Sequence, residues 1–172
     1  MSERASEAIS IRPATEGDIP LLRELADRIW HACYPGMITV EQIRYMLGWM
    51  YAPERIAEEM RGGVRWEIVE SAEPVGYLAH QRDAAGVVHL HKLYLDRALQ
   101  GRGIGQAMLR HVADEARRHG ARSIELRVNR GNARALAAYA RAGFRIERSL
   151  VADIGGGFVM DDHVLRLELE RA

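Results

Sequence analysis

The stretch that decides the fold is "KLYLDRALQGRGIGQAML", Lys92 to Leu109. It sets three glycines on alternate positions, Gly101, Gly103 and Gly105, between an apolar run and a segment whose apolar residues return every three or four positions. Glycine at a helix start weakens the helix by adding backbone freedom. Its use there has two readings: a backbone that must come close to an anion, or a plain tight turn. Strand, glycine loop and helix together form a phosphate cradle, because the loop exposes consecutive N–H groups and the helix N-terminus adds a positive dipole end. Two common phosphate loops are excluded. There is no G-x-x-x-x-G-K-[ST], and Gln106 and Met108 stand where the third glycine of G-x-G-x-x-G would fall in either register.

Working outward, "VVHLHKLYL" reads as a long strand before the loop. After it, Ile104, Met108, Leu109, Val112 and Ala116 keep a helical rhythm to about His119, and Gly120 ends it. "SIELRV" is the next strand, which makes one β-α-β crossover. "NARALAAYARA" is a helix closed by Gly143, and "FRIERSL" and "FVMDDHVLRLELE" form a last antiparallel pair around "IGGG". Toward the N-terminus, "AISIRPA" is an edge strand that stops at Pro13. Thr15 with Asp18 and Thr39 with Gln42 are capping signatures. The first opens a helix carrying Ile19, Leu22, Leu25, Ala26 and Ile29; the second, one carrying Ile43, Met46, Leu47 and Met50. Pro35 and Gly36 break the chain between them. Pro53 starts a third helix that Gly62 and Gly63 end. "VRWEIVE" and "VGYLAHQ" are strands joined by the turn "SAEP", and "DAAG" turns into the long strand.

The 172 residues fit one domain, residues 1–172, with a polar tail over residues 1–8 expected to be flexible. Hydrophobic residues make up 48% and charged residues 28%, and the formal net charge is +0. Such a balance gives no reason to expect a nucleic-acid or anionic-membrane partner. Cys33 is the only cysteine, so an intrachain disulfide and a cysteine-based zinc site are excluded. The N-terminus lacks an apolar signal core and no apolar run approaches the roughly 20 residues that cross a bilayer. A cytoplasmic protein is the expectation. Lys92 is the only lysine.

"QGRGIG" reads Q-x-x-G-x-G, which resembles the acetyl-CoA pyrophosphate loop of the GNAT family of N-acetyltransferases. "HLHKLYL" is similar to that family's fourth strand. In "VNRGNARALAAYARAGF", Asn132, Ala135, Tyr139, Gly143 and Phe144 match its fifth-strand and fourth-helix block. The two blocks span Val88 to Phe144 in the family's order and spacing. The resemblance implies an α/β GNAT fold: a mixed, mostly antiparallel sheet of about seven strands, splayed between the fourth and fifth and flanked by helices. It implies acetyl-CoA as co-substrate, and a small-molecule amine as acceptor by direct attack. Acetylation of a protein N-terminus or lysine, and a non-catalytic acyl-CoA-binding regulatory module, stay open. Members of the family often dimerise, so a homodimer is an expectation.

Carried over residue by residue, the resemblance places the pantetheine arm along Leu93, Tyr94 and Leu95. The pyrophosphate falls on Gln100, Gly101, Arg102, Gly103, Ile104 and Gly105. Within the motif Gly103 and Gly105 hold the demanded positions, and Gly101 falls on a free one. Asn132 matches a cofactor-contacting asparagine and would equally serve as a helix cap. Tyr139 matches the general acid that protonates the departing thiolate. His89 stands where relatives carry a glutamate base, with His91 on the same strand face. A metal at that pair would need His163 or Asp162 as a further ligand, and none is expected. For the acceptor, Trp30 and Tyr34 bracket the break before Pro35, and of the adjacent Asp161 and Asp162 only one can face a site on a regular strand. A carboxylate such as Asp162 suits a cationic amine. "YPG" and "MDD" are similar to strings of the family's bacterial polyamine-acetylating branch. An acyl-cysteine route through Cys33 is not expected, since it lies far upstream of the cofactor motifs in sequence.

Overall fold

The structure, a computed structural model, describes residues 8–170; the tail expected over residues 1–8 falls, apart from Ala8, outside the described residues. The chain runs β1 (Ser10–Pro13), α1 (Ile19–Cys33), α2 (Val40–Met50), α3 (Pro53–Arg61), β2 (Arg65–Ser71), β3 (Glu73–Arg82), β4 (Val87–Leu95), α4 (Ile104–Arg118), β5 (Ser123–Asn129), α5 (Ala133–Arg141), β6 (Arg145–Gly155) and β7 (Phe158–Glu168). The seven strands form one mixed sheet in the order β1-β2-β3-β4-β5-β7-β6. Every pairing is antiparallel except β4 with β5.

Thr39 caps α2 as read, whereas Thr15 with Asp18 caps a 3-10 turn, Glu16–Asp18, that leads into α1. Asp18 accepts from the Thr15 amide at 2.9 Å, and Thr39 Oγ1 accepts from the Gln42 amide at 3.1 Å. The "SAEP" turn is tighter than expected: Ala72 alone turns the chain, at φ 63°, and Ser71 already pairs with Glu73. Pro74 lies inside β3, beside the register shift at Val69/Glu70, where proline's missing donor is tolerated.

Each sheet face has its own core. Met108, Leu109 and Val112 of α4 pack with Leu78, Leu90 and Leu126 on one face. On the other, Leu22, Ile29 and Trp30 of α1, Ile43 of α2 and Ile56 of α3 pack with Trp66, Ile68 and Tyr77. Among the described residues no helix is long and apolar enough to cross a membrane.

One charged residue sits inside the α4 face. Glu67 of β2 is 1% exposed. Its carboxylate contacts His80 Nε2 of β3 at 2.6 Å and His111 Nε2 of α4 at 3.0 Å. Burial works to raise the Glu67 carboxyl, and the His80 and His111 contacts outweigh it and hold it low. Glu67→Ala strands the buried His80 ring and the half-buried His111 ring, and is expected to lower stability by about 3 kcal/mol at pH 7. For a domain of this size that is a loss of roughly 6–12 °C in Tm. A carboxyl lowered by folding stabilises above its unfolded pKa, and that stabilisation fades as pH falls through the folded value. The gap between wild type and variant in thermal melts should therefore narrow in acid.

Candidate active site

The site begins where the sheet comes apart. β4 and β5 pair over only four positions, from Val87↔Ser123 to Leu90↔Leu126. Beyond Leu90, β5 keeps its register with β7 through Asn129↔Asp162, while β4 stays with β3. A bulge marks the parting: Leu90 pairs with His80 and Lys92 with Ala79, leaving His91 as the extra residue. Asp96 donates its amide back to Val75 O at 2.8 Å. By strand alternation Leu93 and Leu95 turn their backbone groups the other way, into the gap.

The glycine loop closes one end of that gap. Gly101 and Gly103 both adopt left-handed backbone, at φ 80° and 85°, and Gly103 is the N-cap of α4. Gly105 lies in the first turn of α4 with ordinary helical φ. Conformation therefore demands glycine at Gly101 and Gly103, not at the motif's Gly103 and Gly105. Gly105 is bare for another reason: among the described residues a Cβ at any of the three would meet no atom beyond its chain neighbours and its own helix within 4 Å, which leaves room over them for a ligand. A cleft of about 200 Å³ opens beside the turn, lined by Arg102, Gly103, Gln106 and Arg110 among others. Ile104 turns its side chain into the core and leaves its amide at the helix start.

Gln100 ties this loop to its surroundings. Its Nε2 donates to Leu95 O at 3.1 Å and lies 3.4 Å from Cys33 Sγ, while Arg134 donates to its Oε1 at 2.9 Å. Distance in sequence thus misled the reading of Cys33: the end of α1 lies against the loop. Burial raises the Cys33 thiol, keeping it protonated and a poor nucleophile.

α5 flanks the gap from the α4 side, where Gln106 Nε2 donates to Ala138 O at 2.9 Å. Asn132 caps α5, its Oδ1 accepting from the Ala135 amide at 3.1 Å. Tyr139 packs edge-on to Phe144, ring centroids 5.6 Å apart. Burial, and then the nearby Tyr34, push its phenol well above the ordinary value, so it stays protonated.

The opposite side of the gap is aromatic. Tyr34 and Tyr94 share a hydroxyl contact of 3.0 Å. Burial chiefly pushes the Tyr34 phenol up to about 12, with Tyr94 opposing and Asp162 and Cys33 adding to the rise. Tyr94 was grouped with the cofactor residues, but its ring stacks on Tyr77 at 5.2 Å and belongs to the α1–α3 face; only its backbone follows β4. Trp30 is corrected too. It is 1% exposed, with Nε1 donating to Tyr77 Oη at 3.1 Å, so its ring backs Tyr34 from within the α1–α3 core. The adjacent aspartates divide by face: Asp161 is exposed and pairs with Arg130 at 3.0 Å, and Asp162 is buried. Over them the β6–β7 hairpin is clasped to α2, since Tyr45 Oη donates to Ile154 O at 2.8 Å and Gln42 Nε2 to Val159 O at 2.9 Å.

The histidines of β4 share a face, their rings 6.2 Å apart and nearly parallel, but not a setting. His89 lies in the paired part of the sheet, opposite Glu125, and its Nε2 contacts Asp83 at 2.8 Å. It does not point into the gap. His91 is at the bulge, where the gap begins. Its side chain reaches the surface, but the part of the ring set against the sheet loses water, and this, then the charges of Lys92, His89, His80 and Arg127, pushes its pKa down to about 4. The bulge has a second effect: slipping the register by one sends Lys92 into the α1–α3 core. Lys92 is 6% exposed, its ammonium 4.9 Å from the Trp66 ring centroid and 5.4 Å from that of Tyr51. Burial lowers its pKa. Among the described residues no group of three or more His, Cys, Asp or Glu is placed to hold a metal ion. Sequence reading missed the Glu67 network; a charged residue between Trp66 and Ile68, at an alternate position shared with Val69, was its one local sign.

Comparison with known proteins agrees with this architecture. The model of the Acetyltransferase (GNAT) family matches residues 24–144. Mycothiol acetyltransferase of Corynebacterium glutamicum is 33% identical over 82 residues, a match spanning 48% of this chain and 28% of that protein. An N-acetyltransferase of Methanocaldococcus jannaschii that is itself uncharacterised is 31% identical over 80 residues, 43% of this chain and 35% of that one. The chain therefore spans about a third of the length of the curated relatives it matches. Among solved structures, the PaiA N-acetyltransferase of Thermoplasma acidophilum in complex with coenzyme A superposes with a TM-score of 0.79 at 21% identity, covering 94% of this chain and 99% of that one. YncA of Salmonella typhimurium with its cofactor acetyl-CoA superposes with a TM-score of 0.65 at 22% identity, covering 96% of each chain. At such identities the superpositions speak for the fold alone. With the family model covering well over half the chain, and a sheet that parts between β4 and β5 ahead of a glycine loop and helix, this protein belongs to the GNAT acetyltransferase family.

Proposed function

We propose that the protein transfers an acetyl group from acetyl-CoA to a primary amine of a small molecule by direct attack. The observation that carries this reading is the gap itself: a strand edge that β5 does not pair at Leu93 and Leu95, ending at a helix start over which Gly101, Gly103 and Gly105 leave room among the described residues. The pantetheine arm pairs with that edge as an added strand. The pyrophosphate lies on the amides of the loop and the positive end of α4. Arg102 lines the same cleft.

The acetyl carbonyl then lies between Tyr139 on one side and the Tyr34–Tyr94 pair on the other. The amine attacks the carbonyl carbon, the C–S bond breaks, and the leaving thiolate takes its proton from Tyr139. A thiol with a pKa of about 8.5 needs that proton at neutral pH, and a phenol that stays protonated can supply it. The Leu95 amide, turned into the gap, is the donor for the developing oxyanion. An alkylammonium, with a pKa near 10.4, must lose a proton first. His89 is engaged by Asp83 and His91 is a weak base, so that proton leaves through water past the neutral His91 ring.

The clasp of the β6–β7 hairpin onto α2 favours a small acceptor, because it narrows the groove a polypeptide would need. The test is thiol release from acetyl-CoA across a panel of polyamines, amino acids, aminoglycosides and peptides. Release is expected with at least one small amine. Tight acetyl-CoA binding with no release across the panel would instead make the protein an acyl-CoA-binding module.

A further inference from the structure

The acceptor side holds one buried carboxylate that no described residue contacts by a hydrogen bond or ion pair. Asp162 is 2% exposed, yet among the described residues no hydrogen bond or ion pair reaches its carboxylate. A buried carboxylate left so is costly. Position tells which way it faces. Asp162 shares its strand face with Met160, which packs on the α1–α3 core, and its charge is felt at the Tyr34 phenol. It pairs across the sheet with Asn129 and Leu150. The groups that bear on it are Arg127 of β5, Tyr34 of α1, and Asp161 and His163 of its own strand. None of them is salt-bridged or hydrogen-bonded to it. Asp161 is committed to Arg130, and His163 Nδ1 to Ser149 Oγ at 2.6 Å.

Distance limits what the carboxylate can hold. β7 is two strands from β4, roughly 10 Å at ordinary inter-strand spacing, and the acetyl group lies part-way between. An amine held directly by Asp162 keeps its proton and cannot attack. The amine that attacks must be a second one, several bonds nearer the gap.

We propose that Asp162 is the specificity-determining residue of the acceptor groove, holding the non-reacting ammonium of an alkyl diamine or polyamine. This rests on the amine-acetyltransferase reading above. The same charge turns away acceptors that carry a carboxylate at that end. Three four-carbon probes with the same reacting amine separate the cases: 1,4-diaminobutane, butylamine and 4-aminobutanoate. Wild type should prefer the diamine over butylamine and disfavour the amino acid. In Asp162→Asn, which keeps the shape and removes the charge, the diamine-to-butylamine ratio of kcat/KM should fall roughly 10- to 100-fold, the worth of a hydrogen bond to a charged group. An unchanged ratio overturns the proposal. Coenzyme A affinity and Tm of the variant report whether it is folded. If wild type acetylates none of the three, the amine-acetyltransferase reading fails for these probes, and the role of Asp162 is judged by calorimetry alone. There, 1,4-diaminobutane should bind the coenzyme A-saturated protein at least about tenfold more weakly after Asp162→Asn. Equal affinity, or no binding to wild type, overturns the proposal.

Discussion

Gly103→Asp is expected to weaken acetyl-CoA binding by about 1000-fold, measured by calorimetry or by competition with a fluorescent coenzyme A analogue. Gly103 is the N-cap of α4 at φ 85°, and its Cβ would meet no atom of the described residues within 4 Å beyond its chain neighbours and its own helix. Aspartate tolerates left-handed backbone better than most residues and caps helices well, so the variant should fold. The loss comes from charge. The new carboxylate takes up the helix-start amides and faces the incoming pyrophosphate. Two like charges about 4 Å apart near a protein surface repel by about 4 kcal/mol, or about a thousandfold in affinity. A variant that folds and binds acetyl-CoA normally removes the loop from the cofactor site.

Tyr139→Phe is expected to lower kcat by roughly 10²- to 10³-fold with little change in acetyl-CoA affinity, the signature of a lost general acid. Phenylalanine keeps the edge-on packing against Phe144, so a structural role alone would leave kcat in place. The pH dependence gives a second reading. Because the Tyr139 phenol is held above its ordinary value of 10.0, it stays protonated throughout the neutral and mildly alkaline range. No alkaline fall in kcat should be traceable to Tyr139 there, and any such limb should survive the substitution.

How much of this was legible beforehand follows from which contacts are local. Thr39 with Gln42, Pro53 at its helix start and Gly120 at a helix end are signals carried within a few residues, and the elements appear where those residues put them. The sheet's parting was legible only by resemblance, since four paired positions out of a nine-residue strand leave no local mark. A bulge beside the splay was implied by the same resemblance, but its place at His91 was not legible. It depends on where β3 and β4 lose register, and it decides that Lys92 goes inward. The site residues fared according to range. Gly103 lies where its loop requires. Trp30 and Tyr94 were assigned from chain neighbours, while burial and stacking put their rings in the α1–α3 core. The contact between Cys33 and Gln100 bridges 67 positions, beyond any spacing argument.

The burial of Lys92 has a consequence for the protein as a reagent in its own reaction. The chain's other basic side chains are arginines and histidines, and its single lysine amine is shut beneath Trp66 and Tyr51. A catalyst proposed to acetylate amines thus offers almost no lysine amine of its own to the acetyl-CoA it holds. Self-acetylation at lysine is closed to the folded protein, and labelling of its lysine side chain by amine-reactive dyes should appear only when unfolding brings Lys92 out.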